Sequence, residues 1–251
     1  MAMVQRRKER ILILALYWPT MFVLTHIPMP EVVRNARVSD KSLHVLVYMI
    51  LVFLLWSALK PTEKANWRRA VTWAVLLVAL AYAMCDEYLQ RFVAGRSPDA
   101  KDFLADAVGA IAGLAVVAIF SFWPASLVVA GTTIYTLAVF TRANLTRLLP
   151  VTTTVLNFTA YGVFTLLWIG YLANVSSRKK TGGKWLAASL SAPGALLVVT
   201  KISTLASGKE FEGWDIVAAV AGILGVVAAV SAVRLAWQRN VKGIELSEAE
   251  A

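Results

Sequence analysis

Eight apolar runs, each about as long as a hydrocarbon core is thick, take up most of this 251-residue chain. They fall near residues 10–27, 42–59, 70–90, 102–122, 125–141, 150–173, 184–206 and 214–237. In lipid, backbone N–H and C=O groups have to be satisfied within the segment, so runs of this kind fold as helices and not as open sheets. The composition agrees: 59% of residues are hydrophobic and 16% are charged, more apolar than a soluble core requires. The expected fold class is an all-α integral membrane protein of about eight transmembrane helices. The least marked boundary is the fourth, which rests on Trp123-Pro124 with no charge nearby.

Orientation follows from Lys and Arg, which are enriched in cytoplasmic loops. Arg6, Arg7, Lys8 and Arg10 lie before the first run, and Lys60, Lys64, Arg68 and Arg69 follow the second. Arg178, Lys179, Lys180 and Lys184 precede the seventh, and Arg234, Arg239 and Lys242 close the last. Both termini are therefore expected on the cytoplasmic side of the cell membrane. The basic start resembles a signal peptide, but no small-x-small site follows it, which favours an uncleaved first helix. The net charge of +10 would suggest nucleic acid in a soluble chain; beside membrane spans it sets topology and meets anionic lipid headgroups. No nucleic-acid partner is expected. Cys85 is the only cysteine, which excludes an intrachain disulfide and a thiolate metal cage; a buried thiol is expected there. Trp18, Trp56, Trp67, Trp123, Trp185, Trp214 and Trp237 lie near expected helix ends, as an aromatic belt requires.

Against this background two polar strings stand out. One is Asp40-Lys41-x-x-His44-x-x-x-Tyr48; the other runs from Asp86-Glu87 through Gln90, Arg91, Gly95, Arg96, Asp99, Asp102 and Asp106 to Gly109 and Gly113. Ionisable groups at membrane depth are costly unless paired, and they mark function by default. The topology puts both strings at the outer face, at the start of the second helix, the end of the third and the start of the fourth. Helical spacing places Lys41, His44 and Tyr48 on one face, and pairs Asp86 with Gln90 and Asp102 with Asp106. Asp40, Asp102 and Asp106 fall in first turns, where the helix dipole favours carboxylates, so capping alone accounts for Asp40 and Asp102 as well as function does. Asp86 and Glu87 end a helix, where the dipole opposes them. They need Lys41, Arg91 or Arg96 as partners, a bound cation, or a bound proton. Acids outnumber bases in the cluster, although the protein as a whole is basic.

These residues resemble the VanZ-like membrane proteins, whose pattern is a DK-x-x-H-x-x-x-Y helix start followed by DE-x-x-Q, G-R and a D-x-x-x-N-x-x-G. Asp40, Lys41, His44, Tyr48, Asp86, Glu87, Gln90, Gly95, Arg96, Asp102 and Gly109 fall in order over about residues 10–122. Leu89 stands where His is common, and Asp106 where Asn is usual. The resemblance implies a prokaryotic cell-envelope protein, the family being named for one linked to low-level teicoplanin resistance.

The chain divides by helix count into a VanZ-like four-helix domain, residues 1–123, and a second four-helix domain, residues 124–251. The second half reads as a faded copy: Tyr161, Gly208, Asp215 and Gly222 each lie 113 positions after Tyr48, Gly95, Asp102 and Gly109. Asn157 falls opposite His44 and Lys209 opposite Arg96, whereas Asp86 and Glu87 have become Val199 and Thr200. Two tandem repeats are one reading, chance identity among apolar helices the other. Gly109-x-x-x-Gly113 suggests close helix packing within the chain over dimerisation. Oligomeric state is left open.

Three functions fit these residues. The first is binding of a lipid-linked or amphiphilic envelope molecule or antibiotic, with Lys41, Tyr48, Gln90, Arg96, Asp102 and Asp106 contacting it. The second is a membrane hydrolase or transferase with His44, Asp86 and Glu87 as candidate catalytic groups. The third is a proton- or cation-coupled transporter, which a cluster at one face supports least. The cofactor is left open, and no settled metal-ligand spacing is apparent.

Overall fold

The computed structural model describes residues 2–26, 40–94, 98–140, 150–175, 182–208 and 213–249. Among them are eight α-helices: α1 (Ala2–His26), α2 (Asp40–Leu59), α3 (Ala70–Gln90), α4 (Ala100–Ile119), α5 (Phe122–Tyr135), α6 (Pro150–Val175), α7 (Gly183–Ala206) and α8 (Gly213–Ala249). A π-helical turn, Thr136–Phe140, continues α5. Seven of the eight, α2 to α8, are long and apolar enough to cross a membrane, α5 only together with its π-helical turn, over Phe122–Val139. α1 is the least apolar, its apolar stretch being confined between Arg10 and His26, but it too runs the length of the unit, from Pro61 at one end to Asp86 at the other.

The chain forms two compact units, residues 1–148 and 149–251. α5, grouped with the second half by helix count, packs in the first unit. Its Ala125, Ser126 and Val129 are buried, and it lies against α2 and α4. The α4–α5 join comes slightly before Trp123-Pro124. α4 ends at Ile119, Phe120 is extended, and Ser121 is the N-cap of α5. Pro124 then sits in a first turn, where its missing N–H forfeits no helical hydrogen bond.

α2 is the centre of the first unit. Leu46, Tyr48, Met49, Leu51, Val52, Phe53, Leu55 and Trp56 are all buried, the all-round burial of a helix enclosed by others, and it packs against α1, α3, α4 and α5. α4 meets it with a stripe of small residues: Ala105, Gly109, Ala110 and Gly113 are buried together. A Cβ on Gly109 would lie 2.2 Å from the Val45 carbonyl oxygen, and one on Gly113 2.7 Å from that of Met49. The glycine pair therefore joins helices within the chain. Outer faces carry exposed Leu77, Val78, Val108 and Ile111, the surface a bilayer covers.

At the basic end of this unit, the α2–α3 connection is held by polar contacts. Arg10 donates to the Pro61 carbonyl at 2.6 Å and stacks over Phe122 at 3.7 Å. Trp56 Nε1 donates to the Glu63 carbonyl at 2.8 Å, and Lys64 Nζ to that of Ile119 at 2.7 Å. Glu63 pairs with Arg69 at 2.6 Å and Lys60 at 3.2 Å. The Lys60 hydrogen bond and charge, with Arg69 behind them, hold the Glu63 carboxyl below its ordinary range. A depressed carboxyl stabilises the fold above its ordinary range and stops doing so as pH falls through its folded value. Glu63→Gln is therefore expected to lower the melting temperature slightly at pH 7, and the difference should vanish below the usual carboxylate range. Added salt should shrink it as well.

In the second unit α6 packs mainly against α8, with α7 against both. Tyr161 and Thr165 are fully buried on α6, and Trp185, Ile169 and Val227 form an apolar cluster. Gly222 lies so close to α6 that a Cβ would be 2.2 Å from the Phe158 carbonyl oxygen.

Candidate functional site

The ionisable residues of the first unit gather at the end away from the Arg10–Arg69 contacts, because up-and-down connectivity brings together the end of α1, the start of α2, the end of α3 and the start of α4. His44 and Asp106, one turn into their helices, form the tightest pair: Nδ1 lies 2.8 Å from Asp106 Oδ1, with the residues 7% and 1% exposed. When Asp106 is ionised it only accepts, and Nδ1 then donates to it, which holds the ring in place. Nε2 then faces Asp102 Oδ2 at 4.0 Å, beyond hydrogen-bond range.

Asp86, 1% exposed, is the second centre. It accepts from Thr25 Oγ1 at 3.1 Å, Gln90 Nε2 at 3.2 Å and Tyr82 Oη at 3.4 Å, and His26 Nδ1 lies 3.7 Å away. That Nδ1 also lies 2.9 Å from the Phe22 carbonyl oxygen, which can only accept. Asp86 thus draws α1 and α3 to one carboxyl. Glu87, also buried, accepts through Oε1 from the Asp99 backbone N–H. Asp99 is itself the N-cap of α4 and accepts from the Lys101 N–H at 2.9 Å. Glu87 therefore ties the end of α3 to the start of α4.

Of the expected residues, His44, Tyr48, Asp86, Glu87, Gln90 and Asp106 are buried and Asp102 is partly so. Lys41 is exposed in the first turn of α2, so the Lys41–His44–Tyr48 stripe runs from the surface inward. Arg91, expected as an ion-pair partner, instead stacks on Tyr88 at 3.9 Å and Phe92 at 4.5 Å on its own helix end. Arg96, Gly95 and the side chain of Asp40 lie outside the described residues. Cys85, expected to be buried, is exposed, because it stands one position off the inward face that Asp86 occupies.

Sequence reasoning missed Thr25, His26 and Tyr82. His26 is one of only two histidines in the chain and ends an apolar run on the same side as both strings, which was the signal available. The arrangement can orient an imidazole, hold protons on carboxyls shielded from water, and present acceptors to a polar group.

A helical bundle with exposed apolar flanks and a histidine–carboxylate cluster at one end defines a multi-pass membrane protein. Residues 6–121 match the family model described as VanZ/LLP1, and over that span the chain is a VanZ-like membrane protein. No curated protein and no solved structure matches it.

Proposed function

We propose that the protein lies in the cytoplasmic membrane with both termini inside, and that the cluster binds or processes the polar head of a lipid-linked or amphiphilic envelope molecule at the outer face. The observation that carries this reading is the convergence of His26, His44, Asp86, Glu87 and Asp106 from four helices at one end of the first unit. That end is at headgroup depth. The opposite end carries Arg10, Lys60, Lys64 and Arg69, which the distribution of basic residues assigns to the cytoplasm. An outer-face site for an amphiphile accords with the family's link to teicoplanin tolerance.

One observation favours chemistry over binding alone: the Asp106-oriented imidazole of His44 is the arrangement a general acid or base requires. A hydrolase or transferase acting on the same molecule is the second reading. Asp86→Asn and Glu87→Gln, expressed at wild-type level in a host made teicoplanin-tolerant by the protein, are expected to return tolerance to the empty-vector level. Folded variants with undiminished tolerance would refute the site. Lys41→Ala, at the exposed rim, should have the smaller effect.

A further inference from the structure

Within the cluster, the Tyr48 hydroxyl, Glu87 Oε2 and His26 Nε2 are buried with no hydrogen-bond partner among the described residues. Tyr48 is 1% and Glu87 7% exposed, and the Tyr48 hydroxyl lies within reach of the charges of Asp106, Asp86 and Glu87. Unpaired buried polar groups are rare in native structures, and each one calls for an explanation.

The second unit supplies the comparison. Positions 113 apart take corresponding places: α3 and α7 begin at Ala70 and Gly183, α4 and α8 at Ala100 and Gly213. Gly109 abuts Val45 as Gly222 abuts Phe158, and Tyr48 and Tyr161 are equally buried. His44 faces Asp102 across 4.0 Å, and Asn157 donates to Asp215 at 3.2 Å. At the same offset, Tyr48 and Glu87 correspond to Tyr161 and Thr200, whose hydroxyls share a 2.6 Å hydrogen bond. The second unit closes this pair on itself. The first leaves both atoms unsatisfied and makes one of them a carboxyl.

Charge then narrows the ligand. Among the described residues no Lys or Arg ion-pairs with Asp86, Glu87 or Asp106; the groups of opposite charge within ion-pair distance there are His26 and His44. A phosphate here would meet three carboxyl groups. A hydroxyl would satisfy the hydrogen bonds but offset none of the carboxyl charge. A protonated amine donates to Glu87 Oε2 and to the Tyr48 oxygen, and offsets the charge as well. We infer that Tyr48 and Glu87 are the ligand-contacting pair of the first unit and that they take a protonated primary amine, on a lipid headgroup or on a soluble amphiphile. This rests on reading the cluster as a binding site.

The test is native mass spectrometry of the full-length protein offered phosphatidylethanolamine, its N-acetylated form and a neutral diglucosyl lipid, with soluble phosphoethanolamine as competitor. Retention of phosphatidylethanolamine about tenfold or more above the other two lipids is expected, a difference of about 1.4 kcal/mol. Tyr48→Phe and Glu87→Thr should remove the preference, while Thr200→Val should keep it. Glu87→Thr copies the closed pair of the second unit but gives up the acceptor for the Asp99 N–H. Glu87→Gln, which keeps that acceptor, is therefore measured beside it: it should melt as wild type and still lose the preference, which separates loss of binding from loss of fold. Competition by phosphoethanolamine assigns the amine to a soluble molecule, and lack of competition assigns it to lipid; either agrees with the inference. Equal retention of the N-acetylated lipid, or a preference unchanged by Glu87→Thr, overturns it. If the glucosyl lipid is retained through Glu87 and the amine is ignored, the amine fails and the binding cluster stands. If no lipid responds to Tyr48 or Glu87, both fail.

Discussion

Alanine at Gly109 is expected to abolish the folded first unit. The added Cβ would sit 2.2 Å from the Val45 carbonyl oxygen and 2.9 Å from that residue's carbonyl carbon and Cα. All three are backbone atoms of the central helix, so no flexible side-chain tip can move aside. α2 and α4 would have to separate along a seam that Gly113 also holds close, against Met49. Overpacking costs about 1–3 kcal/mol and occasionally more, and a clash with a rigid helix backbone belongs at the upper end. Fluorescence-detected melting in detergent should show Gly109→Ala aggregated or melting far below wild type. Gly222→Ala should disrupt the second unit for the same reason, since its Cβ would meet the Phe158 oxygen at 2.2 Å. Gly194→Ala and Gly225→Ala are the controls: nothing lies within 4 Å of either new methyl, and alanine's helix propensity, up to about 1 kcal/mol better than glycine's, should leave melting unchanged or raised. Wild-type melting of Gly109→Ala would mean that α2 and α4 do not touch along this seam.

The same glycines show how far sequence reading reached. Gly109-x-x-x-Gly113 indicates close approach, and it favours an intramolecular seam, but it cannot name Val45 and Met49 as the atoms met. Helix positions were legible because apolar length alone dictates them in lipid: the expected 70–90 and 184–206 are Ala70–Gln90 and Gly183–Ala206. The placement of α5 was not legible, because counting helices in fours ignores where Ala125 and Val129 are buried. In the site, Asp86, Asp106 and His44 could be read because buried charge is conspicuous in apolar sequence. Arg91 misled because adjacency to carboxylates along the chain says nothing about which face a helix-end side chain takes. Tyr88 and Phe92 offered it aromatic faces instead. His26 and Thr25 were missed for the converse reason, since polar residues at the end of a span are ordinary interfacial sequence until α1 is seen against Asp86.

The His44–Asp106 pair carries the other large expected effect. Removing one member of a buried, hydrogen-bonded pair leaves the other without compensation and costs about 3–5 kcal/mol, whereas replacing both is often neutral. His44→Ala strips Asp106 of its 2.8 Å partner, and Asp106→Ala removes the carboxylate that holds the His44 ring. Each single variant should therefore melt well below wild type. The double variant His44→Asn, Asp106→Ala copies the second unit, where Asn157 and the fully buried Ala219 stand 113 positions on. Asn157 donates there to Asp215, so an asparagine at 44 has Asp102 to bond. The double variant should recover most of the stability lost by either single one, a non-additivity that a double-mutant cycle measures directly. If the protein confers the teicoplanin tolerance proposed above, that tolerance should be lost in all three, because none retains an imidazole held by a carboxylate. Additive stability losses would show that the two residues do not support each other. Tolerance surviving in the stable double variant would show that the imidazole and its carboxylate are packing, and that the function lies with Asp86 and Glu87 alone.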